Sequence, residues 1–172
     1  MIVAVTGHRP LKLGGYGEDV QYRLVNLAKR VLLHSNPRPD TVVTGMAQGW
    51  DQAVAEACID LKIPFIAAIP CLGQERMWPQ AAQDRYWALR GDALCTVHMC
   101  SRETYAPALM HKRNEWMVDQ CKMGGGYLLA LWDGTSGGTA NCVRYAREQG
   151  VEIRQLWNDW VQSTEHGIVV EW

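Results

Sequence analysis

Pro64-Phe65-Ile66-Ala67-Ala68-Ile69 is an apolar run with no polar interruption. A strand with one wet face alternates, whereas a strand covered on both faces reads as continuous apolar sequence. Just upstream, residues 51–61 carry Ala53, Val54, Ala57, Cys58 and Leu61 at helical spacing, and residues 41–43 read as a strand before them. The alternation continues in both directions. Strands are expected at 2–5, 93–99, 127–132 and 151–156, and helices at 22–32, 83–90, 112–122 and 138–148, the last closed by Gly150. Strand–helix alternation with short connections gives a parallel sheet with right-handed crossovers and helices on both faces.

Composition bounds the rest. The chain has 172 residues, one domain by length, and a formal net charge of -1. That balance disfavours a dedicated nucleic-acid surface but leaves room for a local basic crevice. Met1-Ile2-Val3-Ala4-Val5 lacks a basic leader region, and no apolar run approaches the roughly 20 residues of a membrane span. The six cysteines, at 58, 71, 95, 100, 121 and 142, form no C-x-x-C pair. Buried reduced thiols, a cytoplasmic location and no metal site are expected. Residues 1–156 read as the domain and 157–172 as a tail. Trp157, Trp160 and Trp172 in that tail are expected to cover a sheet edge or form a subunit contact, with 167–171 a further strand.

Five unusual clusters follow strands: Thr6-Gly7-His8-Arg9-Pro10, Thr44-Gly45-Met46-Ala47-Gln48-Gly49, Pro70-Cys71-Leu72-Gly73-Gln74, His111-Lys112-Arg113-Asn114 and Asp133-Gly134-Thr135-Ser136-Gly137-Gly138-Thr139. In an open parallel sheet the carboxyl ends of the strands form the ligand crevice. The repeated placement therefore predicts one composite site.

Each cluster brings its own chemistry. The Gly137-Gly138-Thr139 stretch offers backbone donors, hydroxyls and a helix start, a cradle for phosphate; the alternative is a Gly-rich loop with Thr139 as the helix cap. Gly45-x-x-x-Gly49 lets backbone approach a ligand closely. Asp51 behind it either complements the helix dipole, holds a ribose hydroxyl or acts as a base. The turn is neither a Walker A loop nor G-x-G-x-x-G. Arg9 can pair with phosphate bidentately, and His8 can donate a hydrogen bond or act as acid or base. His111-Lys112-Arg113-Asn114-Glu115 is expected to open a helix, where cations oppose the dipole and an anionic ligand would compensate. Trp78 either stacks on a base or anchors a loop.

Together these motifs resemble the YpsA-like (DUF1273) branch of the SMF/DprA–LOG (SLOG) superfamily. The likeness runs through Thr6-Gly7-His8-Arg9-Pro10, Lys12-Leu13-Gly14-Gly15-Tyr16, Gly45-Met46-Ala47-Gln48-Gly49-Trp50-Asp51, 63–70, 113–119 and 133–141. It implies an α/β, Rossmann-like three-layer fold and a nucleotide-type ligand. LOG-type phosphoribohydrolases carry M-H-x-R-K, which Met110-His111-Lys112-Arg113-Asn114 resembles, and P-G-G-x-G-T-x-x-E, where this chain has Cys142 in place of the glutamate.

The reading that follows is a binding module for a phosphorylated nucleotide or an NAD- or ADP-ribose-derived molecule. The expected ligand residues are Gly7, His8, Arg9, Gly45, Met46, Asp51, Arg113, Asn114, Asp133, Gly137, Gly138 and Thr139. No cofactor is expected, and a homodimer is. The alternative is an N-glycoside hydrolase using Asp51, Glu56 and His8. Single-stranded DNA binding, as in the DprA branch, is disfavoured by the charge.

Overall fold

In the computed structural model, residues 1–103 and 105–165 are described. The strands are β1 (Ile2–Gly7), β2 (Thr41–Thr44), β3 (Phe65–Ile69), β4 (Cys95–His98), β5 (Tyr127–Leu131) and β6 (Glu152–Gln155). They form one sheet in the order β4-β3-β2-β1-β5-β6, every pairing parallel. The helices are α1 (Glu18–His34), α2 (Trp50–Leu61), α3 (Gln80–Gly91), α4 (Pro107–Met123), α5 (Gly138–Glu148) and α6 (Trp157–Glu165). This is the expected Rossmann-like three-layer fold.

The two faces of the sheet differ in bulk. Val3, Val5, Phe65, Ile69, Leu129 and Leu131 point toward α1, α2 and α3, where Leu24, Leu27, Val54 and Trp50 meet them. The opposite face presents Ala4, Ala68 and Ala130 to Met117, Val118 and Cys121 of α4 and to Val143 and Ala146 of α5. Small side chains let helix backbone lie close to a sheet. That seating holds α4 over the centre of the sheet, with Arg113 and Asn114 buried.

The described part of the tail is helical. Leu156 and Trp160, one turn apart, both enter the core on the α1 face, and the Arg23 guanidinium lies 5.2 Å from the Trp160 ring centre. The strand expected at 167–171, and Trp172, lie outside the described residues. Cys58, Cys71, Cys121 and Cys142 are buried as expected, but Cys95 is exposed and Cys100 half-buried, because both belong to the edge strand β4 and its outgoing loop. All six are free thiols. Among the described residues no helix is long and apolar enough to cross a membrane, and no cluster of three or more His, Cys, Asp or Glu could hold a metal ion.

Candidate functional site

The chain leaves β1 toward β2, β3 and β4 on one side and later returns to place β5 and β6 on the other. The order therefore reverses between β1 and β5, and that is where such sheets open a crevice. A cavity of about 330 Å³ lies there. Gly7, His8, Arg9, Asp51, Arg113, Asn114, Gly137, Gly138 and Thr139 all line it.

Its floor is the turn after β2. The Thr44 hydroxyl donates to the Asp51 carbonyl at 2.9 Å, the Met46 amide donates to the Thr44 hydroxyl at 3.4 Å, and the Gln52 side chain donates to the Met46 carbonyl at 3.2 Å. These bonds hold Met46 at φ 59, a left-handed conformation that non-glycine residues seldom adopt. The tight turn aims Asp51, in the first turn of α2, into the crevice. At Gly45 a methyl group would run into the Arg113 guanidinium and sit 2.9 Å from Asp51 Oδ2. Only glycine leaves room for that cation.

Arg113 reaches this floor from α4. Its Nη1 donates to the Gly45 carbonyl at 2.5 Å and its Nε to Asn114 Oδ1 at 2.9 Å. Asn114 Nδ2 in turn donates to the Gly138 carbonyl at 3.1 Å, joining α4 to the start of α5. The expectation that Arg113 sits at a helix start is corrected: α4 begins at Pro107, with Ala106 as its cap. Proline fits the first helical position, where its missing N–H costs nothing. Arg113 therefore lies in the second turn, and the crevice rather than the α4 dipole accounts for its placement.

Burial dominates the electrostatics here. It pushes the Asp51 carboxyl up to about 6, against the pull of Arg113 and, more weakly, Arg9. Arg113 is lowered by the same desolvation, with Asp51 opposing. Asp51 Oδ1 is buried without a hydrogen-bond partner. A buried carboxylate oxygen without a donor is costly, and a ligand hydroxyl or amide would relieve that cost.

The other wall is the loop after β5. Gly137, at φ 142, caps α5 with no side-chain hydrogen bond, so the first amides of the helix are free of a side-chain cap. Thr139 is inside the helix and is not its cap. Asp133 lies behind this wall. Its carboxylate pairs with His8 Nε2 at 2.6 Å, accepts from the Thr135 amide at 2.9 Å, and lies 3.7 Å from Lys12 Nζ. The Thr135 hydroxyl foremost, then the Thr135 amide and His8, hold Asp133 well below the usual carboxylate range.

Several expected residues take other roles. Glu56 is outside the crevice and pairs with Arg85 at 2.6 Å on the α3 side of α2. Met46 is fully buried beneath the turn. Gly45 contributes backbone and space, not cavity lining. Cys142 is buried, and its thiol is pushed up to about 12, chiefly by burial. It is neither carboxylate nor thiolate. Trp78 packs edge-on against Tyr86, ring centres 5.5 Å apart, as a loop anchor. Thr6, Ala47, Thr135 and Ser136 of the post-strand clusters also line the cavity, as do Leu11, Lys12 and Met110, although none was among the expected ligand residues. Met110 could have been read from its place three and four residues before Arg113 and Asn114 on one helix face.

This fold, with its motifs, defines an α/β protein of the SLOG superfamily, on its YpsA-like branch. The chain belongs to the DNA recombination-mediator protein A family, whose model matches residues 3–169. It is 31% identical over 132 residues to the uncharacterized SPbeta prophage-derived protein YoqJ of Bacillus subtilis, covering 67% of this chain and 73% of that one. It is 24% identical over 140 residues to the UPF0398 protein YpsA of the same organism, covering 77% and 76%. Among solved structures it is similar to DNA processing protein A (DprA) of Streptococcus pneumoniae, with a TM-score of 0.64 and 18% identity, covering 89% of this chain. The Helicobacter pylori DprA structure, described as binding single-stranded DNA, has a TM-score of 0.64 at 15% identity and covers 90% of this chain. This chain spans only 49% and 64% of those two proteins. TM1055 has a TM-score of 0.57 at 11% identity. At such identities the structures share the fold.

Proposed function

We propose that the crevice binds a phosphorylated nucleotide or an NAD- or ADP-ribose-derived small molecule. The observation that carries this reading is Asp51: buried, facing the cavity, its Oδ1 without a donor, beside a buried arginine. The carboxylate suits a ribose hydroxyl. Arg9, Arg113 and the amides at the start of α5 suit phosphate oxygens. Titration calorimetry against a panel of adenine nucleotides, ADP-ribose and NAD tests it. Binding that weakens at least about tenfold in Asp51→Asn, roughly the loss of one good hydrogen bond to a charged group, is the expected result. Folded protein that binds none of the panel overturns it.

A second reading is N-glycoside hydrolysis in the same crevice. An Asp51 carboxyl near 6 is tuned for proton transfer close to neutrality. Cys142 at the carboxylate position of the LOG enzymes weighs against it, and Glu56 does not reach the cavity. Release of free base from nucleoside monophosphates, lost in Asp51→Asn, would establish it. Retention of single-stranded DNA that falls steeply with salt would instead favour a DprA-like nucleic-acid role.

A further inference from the structure

Cys71 and Cys100 lie just beyond the ends of β3 and β4, on neighbouring segments. Ile69 on β3 is paired with His98 on β4, and the ladder continues through the Met99 amide to the Ile69 carbonyl at 2.9 Å. Each cysteine is two residues past its member of that pair. Both lie past the last residues of their strands, and Cys71 is on the α3 side, within electrostatic reach of Tyr86. Ala67 and Ile69 belong to the core on that side, while Thr96 and His98 both meet Arg90 of α3. The Met99–Ile69 and Leu72–Arg102 backbone bonds bracket the two cysteines, so the segments stay near the strand separation of about 4.8 Å, within the roughly 4.4–6.8 Å between Cα atoms that a disulfide spans. The loops stay joined further out, through the Leu72 amide to the Arg102 carbonyl at 3.1 Å and an ion pair of Arg76 with Glu103. Burial raises the Cys71 thiol first, and Cys100 and Glu75 add to the rise.

The two thiols differ in access. Cys71 is 1% exposed, whereas Cys100 is half-buried and its Sγ accepts a hydrogen bond from the Arg102 amide at 3.4 Å. We infer that Cys100 is a site of reversible thiol–disulfide exchange with low-molecular-weight disulfides, and that Cys71 is its resolving partner. Cys100 gives its proton to solvent and its sulfur attacks one sulfur of the external disulfide, expelling one thiol. Cys71 then attacks Sγ of Cys100, loses its proton, and expels the second thiol. Two protein thiols are oxidised, and one external disulfide is reduced to two thiols. The new bond would lock the loop after β3 to the loop after β4. The former carries Gln74, whose side chain donates to the Gly45 carbonyl at 3.2 Å under the nucleotide crevice.

Cys95 is the internal control: it is exposed, but its register partner is Ile66. The test uses the Cys95→Ser chain, incubated with oxidised glutathione, then alkylated in denaturant and digested without reduction. Mass spectrometry is expected to find a Cys71–Cys100 cross-linked peptide. Cys100→Ser should abolish it, and Cys71→Ser should leave glutathione stably attached at Cys100. A glutathione adduct on Cys100 while Cys71 remains alkylatable, cross-links to other cysteines, or no reaction at Cys100 would each overturn the inference. The Cys95-containing chain should gain a glutathione adduct at Cys95 with no cross-link from it.

Discussion

His8, just past β1, and Asp133, just past β5, meet at 2.6 Å between Nε2 and Oδ1 although 125 residues separate them. The contact closes the crevice wall where the strand order reverses. Asp133→Asn should lower stability by about 1.5–3 kcal/mol, the range for hydrogen bonds to charged groups. The carboxyl is depressed in the fold, so its contribution is present above the ordinary carboxylate value and is lost as pH falls through the folded one. Urea unfolding of wild type and variant should therefore differ at neutral pH and converge in acid.

Asp51 should titrate in the opposite sense. Its carboxyl moves from 3.8 to about 6 in the fold. The folded state holds that proton more tightly, so the contribution is complete below 3.8 and is lost as pH rises through about 6. The gap corresponds to about 3 kcal/mol. Stability of the unliganded protein should fall relative to Asp51→Asn across that window. Affinity for a ribose-bearing ligand should rise across it, because only the carboxylate offers a full acceptor at Oδ1. Calorimetry and urea unfolding at matched pH values would check both slopes; a flat pH profile of binding would count against ribose contact.

Arg113→Ala should destabilise the protein by about 3–5 kcal/mol, since it strands the buried Asp51 beside an empty space. Adding Asp51→Asn to that variant should recover part of the loss. A thermal-unfolding double-mutant cycle measures this coupling, and purely additive losses would show that the two groups do not interact.

Two glycines separate folding from binding. Gly45→Ala forces a methyl into the Arg113 guanidinium and should cost about 1–3 kcal/mol as well as ligand affinity. At Gly138 an added methyl meets nothing within 4 Å, so Gly138→Ala should leave stability unchanged or slightly raised. That methyl would still stand in the cavity mouth and should weaken phosphate binding. Circular dichroism melts paired with calorimetry distinguish the two outcomes.

Much of this was legible because of the parallel sheet. The run 64–69 reads as a doubly covered strand, and glycine clusters after strands mark the crevice in the sequence itself. Other features depend on direction. Glu56 is five residues beyond Asp51, about 140° further round α2 at 3.6 residues per turn, which turns it away from the cavity. Met46 looks like a ligand residue in sequence, but its left-handed backbone sends it inward. The start of α4 was hidden because Pro107-Ala108-Leu109-Met110 has no helical rhythm of its own, although proline is a common first helical residue. The nearness of Cys71 and Cys100 exists only once β3 and β4 lie side by side.

The reversal of strand order between β1 and β5 has a thermodynamic corollary. The cavity is assembled from segments near positions 8, 51, 113 and 138, so no partly folded form retaining only one half of the sheet contains it. A molecule that fits this cavity binds the native state alone and must raise the melting temperature. At a free concentration of a hundred times its dissociation constant the gain is about 2.7 kcal/mol. Thermal shift is therefore a direct assay for the unknown ligand, and its size reports affinity without any prior assumption about what the molecule is.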